Sequence, residues 1–291
     1  MCNHDSLGVE QGKILFVPRP SIEEKVLKIV TARIVVIANQ KGGVGKTTTS
    51  INFAASLAIL EHMVLLIDLD PQGHSTTGLG FEKPNDQAGA YALLTGTPAD
   101  VLALNTEIPT LQIIPAGKDL ARLEFSDLTD ESQLYNLKNA LNLIKETYDY
   151  IVIDSPPALG TMTLNAFTAA DELIVPMPCE FLAMDGLIEL VDTLNAVQKQ
   201  SNSNLQLGGI LLTMAEERTN LGSAVANEVR KNFPGKVFKS TIPRNIRLAE
   251  APSHGKPIAF YDLKSKGAQA YIQFTKEWLR RKKNELAKDI L

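Results

Sequence analysis

A glycine-rich segment that ends in lysine and threonine is the first group of residues whose types and spacing could do chemistry. Residues 41–48 read Lys-Gly-Gly-Val-Gly-Lys-Thr-Thr and follow the apolar run 34–38. A strand, such a loop and a helix in this order predict a phosphate-binding loop, because glycines let successive backbone N–H groups turn towards phosphate oxygens. The first turn of the helix adds its own unsatisfied amides. A glycine-rich turn that holds no ligand is the alternative interpretation.

The polar side chains of this loop have expected tasks. Lys46 is expected to reach the β- and γ-phosphates of a nucleotide, and the Thr47 hydroxyl to coordinate Mg²⁺. The predicted nucleotide contacts in the loop are Lys41, Gly42, Gly43, Val44, Gly45, Lys46, Thr47 and Thr48.

The loop departs from the usual pattern G-x-x-x-x-G-K-[ST] at its start. Gln40 stands where the first glycine is expected, and a second lysine, Lys41, follows it. An extra cation beside a triphosphate is favoured electrostatically. The position of Lys41 in the loop nevertheless makes it a poor candidate to fold back onto the same nucleotide. Without that context, Lys41 would be interpreted as a solvated surface lysine.

A second apolar run, residues 64–69, contains Asp68 and leads into Asp-Pro-Gln-Gly at 70–73. Carboxylates at the carboxyl end of a parallel strand face the ligand crevice. We expect Asp70 to position or activate the attacking water, and Asp68 to support the magnesium shell or the loop. For Asp70, the alternative is that it merely opens a turn with Pro71.

A third apolar run, residues 150–153, ends in Asp154 and continues as Ser-Pro-Pro. This is the Walker B form, in which the acid holds Mg²⁺, often through water. Such a run occurs by chance, but its position downstream of a phosphate loop favours the functional interpretation. The predicted metal-binding residues are therefore Thr47, Asp68 and Asp154.

The elements that position these residues alternate along the chain. The predicted strands are Ile34 to Ala38, Val64 to Leu69, Leu111 to Pro115, Tyr150 to Asp154, Leu173 to Met177, Leu207 to Thr213 and Val237 to Ile242. Helices are predicted near 46–60, 131–147, 162–170, 184–200, 219–232 and 265–288. Most strands are apolar without alternation, which predicts an α/β fold: a doubly wound, mostly parallel sheet with helices on both faces. Residues 31–291 are expected to form a single P-loop ATPase domain with a basic C-terminal part, after a partly disordered extension, 1–30, with a short helix from Ser21.

Charge is distributed unevenly over the 291 residues. The net charge is −4, yet residues 230–291 hold 15 Lys plus Arg against 5 Asp plus Glu. This asymmetry indicates a basic surface for a polyanion, or else a solvated basic C-terminal helix. Cys2 and Cys179 lack metal-ligand spacing, which suits a reducing cytoplasm. We found neither a signal-peptide pattern nor a run long enough to span a bilayer.

The phosphate loop, the Asp-x-Asp-Pro-Gln-Gly string and Asp-Ser-Pro-Pro together resemble the deviant Walker A ATPases, and within them the ParA/Soj family of partition proteins. The resemblance spans roughly residues 33–265. It implies ATP and Mg²⁺ as cofactors and an ATP-dependent sandwich homodimer in which Lys41 reaches the phosphates of the other subunit. The implied catalytic residues are Lys41, Lys46 and Asp70. It further implies a cytoplasmic, nucleoid-associated protein that binds double-stranded DNA non-specifically and whose hydrolysis a ParB-like partner stimulates.

Residues 241–257 form a proline-rich, cationic segment that we expect to be a rigid loop covering the adenine. It is similar to the Soj-type segment, which implies base contacts from Pro243 and Asn245. No helix-turn-helix or zinc-finger motif is visible, so DNA contacts are expected to be to phosphate only. The predicted DNA-binding residues are Arg230, Lys231, Lys236, Lys239, Arg244 and Arg247.

Two other classes of protein are weighed against a partition ATPase. A MinD-like membrane-positioning ATPase would use the aromatic and basic residues of 268–291 as an amphipathic tail. We favour packing of that helix in the core and expect no stable membrane association, because its final turns carry little apolar surface. Metabolic relatives are less favoured: Cys179 alone cannot supply the paired cluster ligands of an iron protein, and no substrate site for a synthetase is evident.

Overall fold

The computed structural model describes residues 9–10, 13–14, 31–85, 87–124, 131–180, 183–215 and 220–289. Strands β1 (Val9–Glu10) and β2 (Lys13–Ile14) form a short antiparallel pair. The predicted helix from Ser21 lies outside the described residues, as does most of the N-terminal extension.

A seven-stranded sheet organises the rest of the chain. Its strands are β3 (Arg33–Ile37), β4 (Val64–Asp68), β5 (Leu104–Asn105), β6 (Leu111–Ile114), β7 (Tyr150–Asp154), β8 (Glu172–Pro178) and β9 (Gln206–Thr213). Their order is β5-β6-β4-β7-β3-β8-β9, parallel throughout except for β5, which pairs antiparallel with β6 at the edge. β3 lies at the centre between β7 and β8. The predicted fold class is confirmed.

Helices follow most of these strands. They are α1 (Lys46–Ile59), α2 (His74–Gly78), α3 (Ala90–Leu94), α4 (Ala99–Leu102), α5 (Leu120–Glu124), α6 (Asn136–Asn142), α7 (Thr161–Ala169), α8 (Ala183–Gln200), α9 (Asn220–Asn232), α10 (Ile246–Glu250), α11 (Ile258–Tyr261) and α12 (Lys266–Asp289). The long helices agree with the prediction except near 131–147, where a 3₁₀ turn over Glu131–Tyr135 precedes α6. The short helices were not predicted.

The sheet separates two apolar layers. Alternate residues of β3 point to opposite faces: Ile34 and Val36 pack with α6 to α9, whereas Val35 and Ile37 pack with α1 and α12. Phe53 of α1 lies 5.1 Å, ring centre to ring centre, from the fully buried Trp278 of α12. The core packing predicted for the last helix is therefore confirmed. No helix among the described residues is long and apolar enough to cross a membrane.

The predicted strand at 237–242 is wrong as a strand. Val237 forms an isolated bridge with Ile210, and the Phe238 and Ile242 amides donate to β9 carbonyls at 2.9 and 2.8 Å, but no continuous strand forms. The backbone amides of Lys239 and Ser240 instead donate to the Glu277 carboxylate of α12, at 2.9 and 2.8 Å. A side chain distant in sequence therefore satisfies the amides that a strand ladder would otherwise use.

The rigid loop expected at 241–257 is also corrected. Its middle forms α10, followed by a 3₁₀ turn over Ala251–His254. Asn245 begins α10, because its side-chain oxygen accepts from the Arg247 amide at 2.9 Å. Three prolines had suggested an irregular segment, but Pro252 lies in the first turn of its helix, where no amide donor is needed.

Candidate functional site

The phosphate loop joins the carboxyl end of β3 to the first turn of α1. Gly43 and Gly45 have φ of 74° and 94°, in the left-handed region that favours glycine. Gly45 directly precedes α1, where a side chain would strain the turn that delivers the chain into the helix. The Thr213 hydroxyl, at the end of β9, donates to the Val44 carbonyl at 2.9 Å and anchors the middle of the loop.

Lys46 lies in a pocket of opposite charge. It is buried, and its ammonium donates to the Lys41 carbonyl at 2.8 Å. Burial lowers the pKa of Lys46, and the charges of Asp154 and Asp70 oppose that shift. Lys46 and two of the three predicted acids, Asp70 and Asp154, therefore share one electrostatic site.

Asp154, at the end of β7, is fully buried and held by hydroxyl groups. Ser50 Oγ of α1 donates to its Oδ1 at 2.9 Å, and Ser75 Oγ of α2 donates to its Oδ2 at 2.7 Å. Burial raises the pKa of Asp154, whereas hydrogen bonds from Ser75, Ser50 and Thr47 lower it, and the net shift is upward. The Thr47 hydroxyl and this carboxylate are hard oxygen donors beside a phosphate loop, so the residues present fit Mg²⁺.

Asp68 has a different environment from Asp154. Its Oδ2 accepts from the backbone amide and the hydroxyl of Thr76, at 2.8 and 2.7 Å, and its Oδ1 accepts from the Asp70 amide. Burial, followed by repulsion from Asp154, raises its pKa. Of the two tasks expected for Asp68, this geometry favours support of the loop over direct metal binding.

Asp70 follows β4 in a tight turn. Its Oδ1 accepts from the Gln72 amide at 2.9 Å, and its carbonyl accepts from the Gly73 amide at 2.8 Å. Asp70 thus does open a turn, which was the alternative interpretation. The turn also keeps the largely buried Asp70 carboxylate near enough to Lys46 for its negative charge to raise the pKa of that lysine. Both interpretations therefore fit the same geometry.

Pro243 and Asn245, which are predicted to contact the nucleotide base, lie near the carboxyl end of β9. Pro243 forms an isolated bridge with Ala215, just beyond that strand, and the Asn245 side chain caps α10. A separate cavity of about 270 Å³ adjoins the loop on the side of α2. Its lining residues are Thr47, Thr48, Ile51, Asn52, His74, Thr77, Ala251, Pro252 and Lys256. Pro243 and Asn245 do not line it.

All the predicted DNA-binding residues have exposed side chains: Arg230, Lys231, Lys236, Lys239, Arg244 and Arg247. Three of them make salt bridges or backbone contacts: Arg244 lies 3.9 Å from Glu180, Arg247 lies 2.8 Å from Glu250, and Lys236 donates to the Leu207 carbonyl.

The C-terminal basic cluster, residues 280–283, does not act as one surface. Arg280 and Lys283 are exposed, whereas Lys282 is buried against Glu172. Arg281 bonds to Glu277 and lies over the Phe238 ring. Two of the four positive charges in this cluster are thus paired with carboxylates of the fold.

Several supporting residues escaped prediction from sequence. Ser50, Ser75 and Thr76 hold the two buried acids, and Asn39 binds the loop itself. Serines and threonines within helix patterns carry no visible signal of function. Their positions near the beginning of α1 and α2, beside the acids that end β7 and β4, are the feature that could have indicated them.

This fold and this site together define a P-loop ATPase, and comparison with known proteins agrees. Residues 32–207 match the family model described as an AAA domain. The sporulation initiation inhibitor protein Soj of Bacillus subtilis is 49% identical over 247 residues, which cover 84% of this chain and 97% of that protein. The chromosome partitioning protein ParA of Myxococcus xanthus is 46% identical over 250 residues, covering 86% and 88%.

Solved structures extend the comparison. Cobyrinic acid a,c-diamide synthase from Mycobacterium smegmatis, with bound ATP analog and magnesium, superposes with a TM-score of 0.76 at 36% identity over 87% of this chain and 96% of that one. A plasmid partition protein from Borrelia burgdorferi bound to AMPPNP gives 0.71 at 26% identity over 86% and 99%. The chain belongs to the ParA/Soj family of partition ATPases, whose members use ATP and Mg²⁺.

Proposed function

We propose that this partition ATPase forms an ATP-dependent sandwich homodimer, that the dimer binds double-stranded DNA without sequence preference, and that a ParB-like partner stimulates hydrolysis. One observation carries the proposal: Lys41 stands at the entrance of a phosphate loop whose own lysine, Lys46, already occupies the interior with Asp70 and Asp154. Lys46 serves the nucleotide of its own subunit, and Lys41 serves the nucleotide of another copy.

The site residues have distinct tasks in this proposal. The loop amides of residues 42–48 and the Lys46 ammonium bind the phosphates, and Lys41 of the second subunit adds a cation. Thr47 and Asp154 hold Mg²⁺, which, when bound, offsets the negative charge that develops on the phosphates. Asp70 orients the attacking water, and Asp68 fixes the turn that carries Asp70.

Pro243 and Asn245 are proposed to contact the base from the end of β9. The loop carbonyl of Val44 already bonds to Thr213 of that strand, which keeps phosphate loop and strand end together. A nucleotide bound at the loop could therefore extend its base towards either this end of β9 or the cavity beside α2. We assign the β9 side, because the segment resembles that of the family.

DNA binding is assigned to the exposed cations of α9 and the segment after it. Six such residues outside the nucleotide loop could contact phosphates, and binding of this kind weakens steeply as salt rises. The protein is then expected to be cytoplasmic and to associate with the nucleoid. Residues 31–291 are proposed to act as one ATPase unit, and a partition role is favoured over membrane positioning because the aromatic face of α12 is buried.

Binding to duplex DNA of arbitrary sequence tests the proposal. Mobility-shift assays at low salt with ATP, ADP and no nucleotide are expected to show binding with ATP alone. Light scattering on the same samples is expected to show a dimer only with ATP. ATP-dependent binding to anionic vesicles, without DNA binding, would instead favour a membrane-positioning ATPase.

A further inference from the structure

A buried asparagine at the end of β3 ties the phosphate loop to the neighbouring strand. Asn39 is 3% exposed. Its Nδ2 donates to the Pro176 carbonyl of β8 at 2.8 Å, and its Oδ1 accepts from the Lys41 amide at 3.0 Å. Loss of either bond would leave a buried polar group unsatisfied, so the side chain holds both partners. Asn39 thereby fixes the Lys41 peptide relative to the sheet.

The side chain of Lys41 runs beside a second element, helix α8. Gly186 lies buried in the first turns of α8, and a Cβ added there would stand 3.7 Å from Lys41 Cγ and 3.8 Å from Cε. These are ordinary contact distances. An alanine would therefore just touch the aliphatic stem of the lysine, whereas a larger side chain would occupy the same space.

The Lys41 carbonyl is fixed as well. It accepts the Lys46 ammonium at 2.8 Å. Asn39 therefore binds the Lys41 amide, Lys46 binds its carbonyl, and the Lys41 stem lies beside the backbone of Gly186. Restraint of this residue matters for association, because lysine has four flexible side-chain bonds and much rotamer entropy to lose.

We propose that Asn39 and Gly186 form a lysine seat that orders Lys41 before a second copy of the chain arrives. A side chain ordered in advance loses less entropy on association, so the seat strengthens dimerisation rather than nucleotide binding within one subunit. Asn39 and Gly186 are positioning residues, since neither is among the nucleotide contacts. This inference rests on the proposed cross-subunit role of Lys41.

The substitution Asn39→Ala separates the two effects. The affinity for ADP, measured by titration of a fluorescent ADP analogue, is expected to change by less than about threefold, whereas the dissociation constant of the ATP-bound dimer is expected to rise at least about tenfold. Equal losses in both measurements would make Asn39 a general structural residue and overturn the seat. Unchanged dimerisation would also overturn it.

Asn202→Ala is the matched control. Asn202 is 7% exposed, and its Nδ2 donates to the Phe167 and Ala170 carbonyls at 2.9 and 2.7 Å. It lies near the amino ends of β8 and β9, whereas Asn39 lies at the carboxyl end of β3. This variant loses comparable buried hydrogen bonds far from Lys41. It is expected to lower the melting temperature yet keep ATP-dependent dimerisation within about twofold of wild type.

A steric series at Gly186 tests the seat while residue 39 stays asparagine, and it serves if Asn39→Ala does not fold; a Cβ at Gly186 would also stand 3.9 Å from Asn39 Oδ1, so the series acts on both parts of the seat. Gly186→Ala is expected to dimerise like wild type, because its new methyl reaches only contact distance. Gly186→Leu is expected to weaken the dimer at least about tenfold while ADP affinity stays, because its side chain displaces the Lys41 stem. Wild-type dimerisation of Gly186→Leu would contradict the proposal.

Failure of the seat and failure of the proposed function give different results. If wild type does not dimerise with ATP, or if Lys41→Ala dimerises like wild type, the cross-subunit role of Lys41 is wrong, and the seat is overturned with it. If Lys41→Ala abolishes the dimer while Asn39→Ala and Gly186→Leu leave it intact, the proposed function stands and the seat alone is wrong.

Discussion

The Lys282 ammonium of α12 lies 2.6 Å from Oε1 of Glu172, the fully buried acid that begins β8. Arg33 of β3 binds the other carboxylate oxygen at 3.1 Å, and the Trp278 indole donates to Oε1 at 3.3 Å. This buried network attaches the last helix to the amino ends of two central strands. Lys282 is therefore part of the core, although its sequence neighbours suggest a basic surface.

Lys282→Ala is expected to destabilise the fold by about 3 kcal/mol, because it leaves the Glu172 charge buried with one partner fewer. Urea denaturation gives the free energy of unfolding. Lys283→Ala is the control on the next residue, which is exposed, and it is expected to change stability by less than about 0.5 kcal/mol. Equal small effects of both substitutions would show that the Lys282 pair contributes little.

Glu277 predicts a pH dependence of stability. Burial raises the pKa of Glu277, but the Lys239 and Ser240 amides and the Arg281 side chain outweigh burial, and the net pKa lies below the usual 4.5. A lowered folded-state pKa stabilises the fold above the unfolded-state pKa. That stability is lost as the pH falls through the folded-state value.

We therefore expect the stability difference between wild type and Glu277→Gln to be largest above pH 4.5 and to shrink as the medium becomes more acidic. Thermal melts from pH 7 down to pH 3 would measure it, with the exposed Glu146→Gln as control. A difference that does not vary with pH would mean that the charge of Glu277 does not contribute to the capping of residues 239–240.

The sequence predicted the sheet class and the longest helices because these depend on local patterns. Residues 34–38 are apolar throughout, as strands covered on both faces must be, and residues 184–200 repeat with a helical period. The strand predicted at 237–242 failed for a non-local reason. Its apolar, β-branched residues suit a strand, but Glu277, far along the chain, binds the two amides in its middle, those of residues 239 and 240.

The candidate site was predictable where residue type dictates chemistry. The phosphate loop and the acids Asp70 and Asp154 come together in the structure as their strand-end positions implied. The hydroxyl groups that hold the acids were not predictable, since Ser75 and Thr76 have no spacing that distinguishes them from ordinary helix residues. Nor did the run of four cations at 280–283 reveal that Lys282 turns inward, because its partner Glu172 lies more than a hundred residues away.

We expect Thr76 to contribute both to the stability of the fold and to the rate of ATP hydrolysis. Its fully buried hydroxyl donates to Asp68 Oδ2 at 2.7 Å and accepts from the Ala116 amide at 2.9 Å. Thr76→Val keeps the shape but leaves the Ala116 amide without its acceptor and Asp68 Oδ2 with the Thr76 backbone amide alone, which is expected to cost about 1–3 kcal/mol of unfolding free energy. Turnover is expected to fall with it, because Asp68 holds the Asp70 turn.

Thr77→Val is the control for Thr76→Val, since Thr77 is exposed on the same helix and bonds only to nearby carbonyl groups. It is expected to change stability by less than about 0.5 kcal/mol and to leave turnover unchanged. ATPase assays measure the turnover of both variants, and denaturation curves measure their free energies of unfolding. If Thr76→Val hydrolyses ATP at the wild-type rate, the Asp68–Thr76 contact does not position Asp70.

Asp70→Ala is expected to separate binding from hydrolysis. The variant keeps the loop, Lys46 and Asp154, so it is expected to bind ATP and to dimerise. It loses the carboxylate proposed to orient water, so its turnover is expected to fall by about 10²–10⁴-fold. Phosphate release and light scattering measure the two quantities.

Asp70 also opens the turn at 70–73, so Gln72→Ala, which keeps the amide that binds Asp70, is the control for a purely local disturbance. If turnover persists in Asp70→Ala while the dimer is lost, Asp70 acts as a turn residue, and the water must be oriented by another group.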